Sequence, residues 1–214
     1  DLVKGNFFLD MSDLFIGSSF TNPNGLALKS NTSGGDPDYY TIGLDLDIFV
    51  GTGHKTHVDN SGLRIANGGE LSTWELNGGQ FITVDPGGKL DVRRVVIDED
   101  TLFSGALTAE LVDVGANLTL SESASLLGDA AIADGGNLLL STGATITGEA
   151  TISVGGSLGG TGTVIGGVIN SGTLAAGQSP GTLTVDGFLD QLDTGNILLE
   201  VGKHDVTQQI VHDA

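Results

Sequence analysis

Three side chains close in sequence, His54, His57 and Asp59, are of the types that bind zinc or copper. On a strand His54 and His57 point to opposite faces, so only a turn would converge them. A solvated loop is the simpler reading. His204-Asp205 and His212-Asp213 are isolated pairs with the same plain reading. Oxygen chemistry is better represented. Asp45 and Asp47 share one strand face, and Asp98-Glu99-Asp100 forms a second acidic cluster. Calcium wants six to eight converging oxygens. Neither cluster matches an EF-hand or the Gly-rich nonapeptide calcium repeat. Calcium is therefore a candidate cofactor at these five acids, set against solvated acids.

Lys89, Asp91 and Arg93 alternate on one strand face, with Arg94 beside them and Arg64 upstream. A cation–carboxylate set of this kind could neutralise and deprotonate an acidic sugar, although a solvated stripe has the same pattern. No spacing suggests a paired-carboxylate glycosidase. The serines lack a G-x-S-x-G elbow and the glycines form no phosphate loop. Cysteine is absent, which removes disulfides, thiolate metal sites and a Cys nucleophile. The best-supported core chemistry is none, and the chain is expected not to be an enzyme.

The elements that would position these residues are short strands. Thr163-Val164-Ile165, Val168-Ile169-Asn170, Thr173-Leu174 and Thr182-Leu183-Thr184-Val185 are each too short for a helix. Corners of Gly, Asn, Ser or Asp separate them, residues that turn sharply or accept positive φ. A small-residue corner precedes Leu71, Leu90, Leu118, Leu138, Leu158 and Leu174. The usual interval between these leucines is about 20 residues, a solenoid-like period. The step from Leu90 to Leu118 is longer, which suggests an insertion near Asp98-Glu99-Asp100, and the step from Leu158 to Leu174 is shorter. Such a period in strand-rich sequence predicts one solenoid coil per repeat, stacked about 4.8 Å apart on an aliphatic column. A β-sandwich with regular hairpins is the rival, disfavoured by the long period and the few Asn-Gly and Asp-Gly pairs. The 35 glycines and scarce aromatic rings suit a narrow coil.

A formal charge of −19, from 27 acids against eight Lys and Arg, repels phosphate backbones and anionic membranes. Nucleic acid is not an expected partner. No apolar run is long enough for a membrane-spanning helix. Scarce Lys with abundant Gly, Thr, Ser, Asn and Asp leans towards the outside of the cell. No signal peptide is visible, and Asp1 suits either a trimmed chain or an excised fragment.

Residues 1–60 differ from the rest and read as a β-rich cap or inter-subunit segment ahead of a solenoid over 61–214. Phe7, Phe8 and Leu9, then Leu14, Phe15 and Ile16, form apolar strand candidates, and Ile210-Val211 makes another near the C-terminus. Unpaired strand edges recruit other chains. These eight residues are therefore the candidates for self-association by strand addition.

Gly159-Gly160-Thr161-Gly162-Thr163-Val164 and Asn170-Ser171-Gly172-Thr173-Leu174-Ala175-Ala176-Gly177-Gln178-Ser179-Pro180-Gly181-Thr182-Leu183-Thr184-Val185 resemble the repeat of autotransporter passenger β-helices. They are similar also to exported Gram-negative surface proteins with a C-terminal sorting signal. The close likeness is confined to Gly159–Val185, and the looser repeat extends it back towards Ser61. Ala176 stands where that pattern commonly has Pro, and neither a translocator barrel nor a sorting signal is present. The resemblance implies a right-handed parallel β-helix that is exported, without implying one activity. The expectation is an all-β, extracellular or cell-surface structural protein of bacteria, assembling head to tail into filaments in the surface or biofilm matrix. An adhesin binding glycans or cell surfaces through loops 17–41 and 98–105 is the alternative, and a polysaccharide lyase or hydrolase is a third.

Overall fold

The structure, a computed structural model, describes residues 5–9, 13–16, 25–28, 40–42, 46–50, 55–58, 63–78, 82–177 and 181–199. The regular elements among them are 21 strands, and the pairings are parallel. The chain is a parallel β-solenoid. Its early strands are β1 (Gly5–Leu9), β2 (Asp13–Ile16), β3 (Gly25–Leu28), β4 (Tyr40–Ile42), β5 (Leu46–Val50), β6 (Lys55–Val58) and β7 (Leu63–Ile65). Seven coils follow, each with a long strand and a short one. The long strands are β8 (Glu70–Gly78), β10 (Lys89–Ile97), β12 (Ala106–Val114), β14 (Ser125–Ile132), β16 (Thr145–Ile152), β18 (Thr163–Asn170) and β20 (Thr184–Gln191). Their short partners are β9 (Ile82–Val84), β11 (Thr101–Phe103), β13 (Asn117–Leu120), β15 (Asn137–Leu140), β17 (Ser157–Gly160), β19 (Thr173–Ala176) and β21 (Asn196–Leu198). Long strands stack in one sheet and short strands in the other.

Register explains why this sequence coils. Leu71, Leu90, Leu107, Leu126, Ile146, Val164 and Val185 stand in one line, one residue from each coil. Across the core Leu118, Leu138, Leu158, Leu174 and Ile197 form another line. All but the last layer of these lines is buried. Each coil alone would leave its apolar face in water, whereas stacking joins the faces into one column.

Two sheets also explain the irregular leucine interval. Leu71 and Leu90 lie on the long sheet, whereas Leu118 lies on the short one. The coil successor of Leu90 is Leu107. Small-residue corners occur at both ends of the long strands, so leucines following either corner look alike. Asp98-Glu99-Asp100 is accordingly the ordinary connection between β10 and β11, not an inserted loop. The stacking also continues through the described part of 1–60. β5 and β6 lie against the two halves of β8, and β1 and β2 lie against β5 and β6. Among the described strands only β3 steps back, covering the far side of β2.

Long strands bend midway. In β10, Leu90, Val92, Val95 and Ile97 are buried, while Arg93 and Arg94 are exposed in succession and break the alternation. In later coils glycine occupies the bend. The opposite corner holds one non-glycine residue at positive φ, Ser123 at 66°, one coil before Gly143 at 82°. The left-handed region costs an L-residue about 1 kcal/mol. Ser123→Gly is thus expected to raise stability by about 0.5–1 kcal/mol in urea denaturation, and a loss would show that the Ser side chain matters more.

One buried polar side chain closes the core near its C-terminal end. Asn170 donates from Nδ2 to Gln191 Oε1 at 2.9 Å and to the Asn196 carbonyl at 3.0 Å, and its Oδ1 accepts from the Gly172 N–H at 3.1 Å. Its hydrogen bonds offset the cost of burying an amide, and they tie the last described coil to the one before it.

Candidate functional site

The last described coil is unlike the others. Val168 and Leu174 are buried, but the residues that continue their lines, Leu189 and Ile197, are 43% and 44% exposed. Leu198 and Leu199 are exposed beside them. Among the described strands nothing pairs with the outer edges of β20 and β21. The opposite end is better covered, since Leu14 and Ile42 are buried.

The strand-addition candidates divide. Phe7, Phe8 and Leu9 lie on β1, paired on one side with β5. Phe8 is exposed, and its ring stacks on Phe49 at 5.0 Å between centroids. Leu14, Phe15 and Ile16 lie on β2, which already has β3 and β6 as neighbours, so among the described strands the edges without a partner at this end belong to other strands. Ile210 and Val211 lie outside the described residues.

The calcium candidates are not gathered. Asp45 lies outside the described residues, and Asp47 stands in register with Glu70. Asp98 and Glu99 are exposed at their corner. Asp100 is one rung of a side-chain ladder over four coils: Ser157 donates to Asn137, Asn137 to Asn117, and Asn117 to Asp100 at 2.7 Å. Among the described residues no group of three acids or histidines could hold a metal ion. His57 is on β6, whereas His54, Asp59, His204, Asp205, His212 and Asp213 lie outside the described residues. So does most of loop 17–41.

The cations considered for acidic-sugar chemistry sit in ion pairs between coils. Arg64 meets Asp85 at 2.6 Å, Arg93 meets Glu110 at 2.9 Å, Arg94 meets Asp113 at 2.6 Å and Lys89 meets Glu70 at 3.8 Å. At this exposure each pair contributes under about 1 kcal/mol, so the ladder orders side chains more than it stabilises the fold.

The bend in the long sheet creates a feature that no local sequence motif signals. An outer groove of about 500 Å3 runs along the stack, floored by the strand backbones at the bend. One wall is the in-register line Ser72, Asp91, Thr108, Leu127 and Thr147. The other carries Trp74, Arg93, Glu110 and Asp129. The Arg93 guanidinium lies 4.7 Å from the Trp74 ring centroid while pairing with Glu110, which fixes its plane.

Fold and surface together define a parallel β-solenoid with an outer groove and an apolar last described coil. No family model matches the chain, and no curated protein or solved structure matches it either.

Proposed function

We propose that the protein is a non-enzymatic structural rod of the bacterial surface or extracellular matrix that assembles head to tail into filaments. The observation that carries this reading is the exposed last described layer of the core, where Leu189 and Ile197 continue buried columns beside two parallel edges that have no partner among the described strands. Another coil of the same kind is the occupant such a face accepts, since it continues the backbone ladder and the aliphatic column together. Because the two ends differ, the contact is heterologous and does not close on itself, which favours open chains over dimers. Export is supported by the polar small-residue composition and the resemblance to passenger β-helices.

Asp186, Asp190 and Asp193 are exposed on the same coil, and each copy carries −19. Association is therefore opposed by like charge and strengthens as salt shortens the Debye length towards about 8 Å. Negative-stain microscopy and light scattering at physiological salt, with and without calcium, should show rods growing in length but not width. Ile197→Lys should leave single short particles. Monodisperse wild-type particles at high concentration in both conditions would refute the assembly.

A further inference from the structure

We propose that the outer groove is a binding site for a neutral, linear oligosaccharide. Its shape suits a chain molecule. The trench crosses β8, β10, β12, β14 and β16, strands about 4.8 Å apart, and so is about 20 Å long. A trench along the stack receives a chain molecule lengthwise. Successive rungs present different side chains along its length.

The walls combine apolar and hydrogen-bonding groups. The exposed Leu127, and the part of the Trp74 ring that Arg93 does not cover, present apolar surface at separate rungs, suited to the C–H faces of sugar rings. Between them Asp91 and Thr108, and beside Leu127 the Asp129 carboxylate, offer planar or hydroxyl hydrogen-bonding groups, suited to neighbouring sugar hydroxyls. Arg93 is a pre-oriented donor, held by Trp74 and Glu110 before any ligand arrives. The floor backbone is already engaged in the parallel sheet, which removes strand addition of a peptide as a binding mode.

Charge selects the class of sugar. Three carboxylates, Asp91, Glu110 and Asp129, line the groove with one guanidinium, so its walls are net negative, within a chain of net −19. Polyuronates and sulfated glycans are repelled. An uncharged chain meets no such penalty.

Trp74 is the only tryptophan, so its fluorescence reports on this groove without labelling. The purified full chain should be titrated with cellohexaose, mannohexaose, xylohexaose and maltohexaose, with oligogalacturonate and hexalysine as charged comparators. At least one neutral chain should shift Trp74 emission saturably, with a matching calorimetric heat. Asp91→Ala should weaken that binding about tenfold, equivalent to about 1.4 kcal/mol. Leu127→Arg should block the trench. Both positions are exposed, so the variants should keep the wild-type melting temperature. Failure of every neutral chain overturns the proposal, as does a heat without a Trp74 response or binding that survives both variants. Preference for hexalysine or oligogalacturonate overturns it as well, by assigning the groove to a cationic peptide or an acidic glycan.

Discussion

Gly128→Ala is expected to cost about 4 kcal/mol, near the upper end for a single substitution. The reason is steric and lies in the bend of the long sheet. At Gly128 φ is 136°, and an added Cβ would lie 1.6 Å from the Ala109 carbonyl oxygen and 2.7 Å from its carbon. Those atoms are backbone in the middle of a stack, so they cannot swing aside. The constraint repeats one coil on, because a Cβ at Gly148 would lie 2.2 Å from the Gly128 oxygen, and one at Gly166 2.4 Å from that of Gly148. Glycines thus stack where the strands turn, each admitting the carbonyl of the coil before it. Gly135 is the control. It has φ of 78° but nothing within 4 Å of its added Cβ, so Gly135→Ala should lose only the left-handed penalty of about 1 kcal/mol. Urea midpoints for the two variants separate the two causes. Equal losses would mean that backbone angle, and not the crowded bend, makes these glycines necessary.

That column shows where reading the sequence stops. Coiling itself was legible, because leucines recurring mostly about 20 residues apart, with small corners before them, favour stacked coils over a sandwich of hairpins. The assignment of each leucine to a sheet was not, since both corners use the same small residues and only pairing distinguishes them. Hence the long step after Leu90 suggests an insertion when read along the chain, whereas Leu107 fills the coil position after Leu90. The bend did leave a trace. Arg93-Arg94 between Val92 and Val95, and Glu110-Leu111 between Ala109 and Val112, each put two outward residues together and shift the phase of the alternation. Read as a phase change, those pairs mark a bent strand. The groove is less accessible still, because Trp74, Asp91 and Leu127 belong to three different coils and meet only through register. The ion pairs share this limit, since Arg94 and Asp113 sit on successive long strands.

Head-to-tail assembly through the last described layer, as proposed, predicts a thermal stability that depends on protein concentration. A contact made only by folded coils stabilises them by mass action, about 2.7 kcal/mol at a concentration one hundred times Kd. For a chain of this length that is about 5–10 °C in Tm, at about 2–4 °C per kcal/mol. Wild-type Tm should climb accordingly across a dilution series, and the climb should steepen with added salt as repulsion between copies is screened. Leu189→Lys should flatten it. Leu189 is already 43% exposed in the single chain, so the lysine is expected to cost the isolated fold no more than about 1 kcal/mol. In an assembled rod the same ammonium would be buried against the next copy's aliphatic column without a partner, a far larger penalty. The variant should therefore match the wild type at high dilution and fall behind as concentration rises. A wild-type Tm that ignores concentration, or a variant that follows the wild-type curve throughout, would show that the last core layer is not where the chains meet.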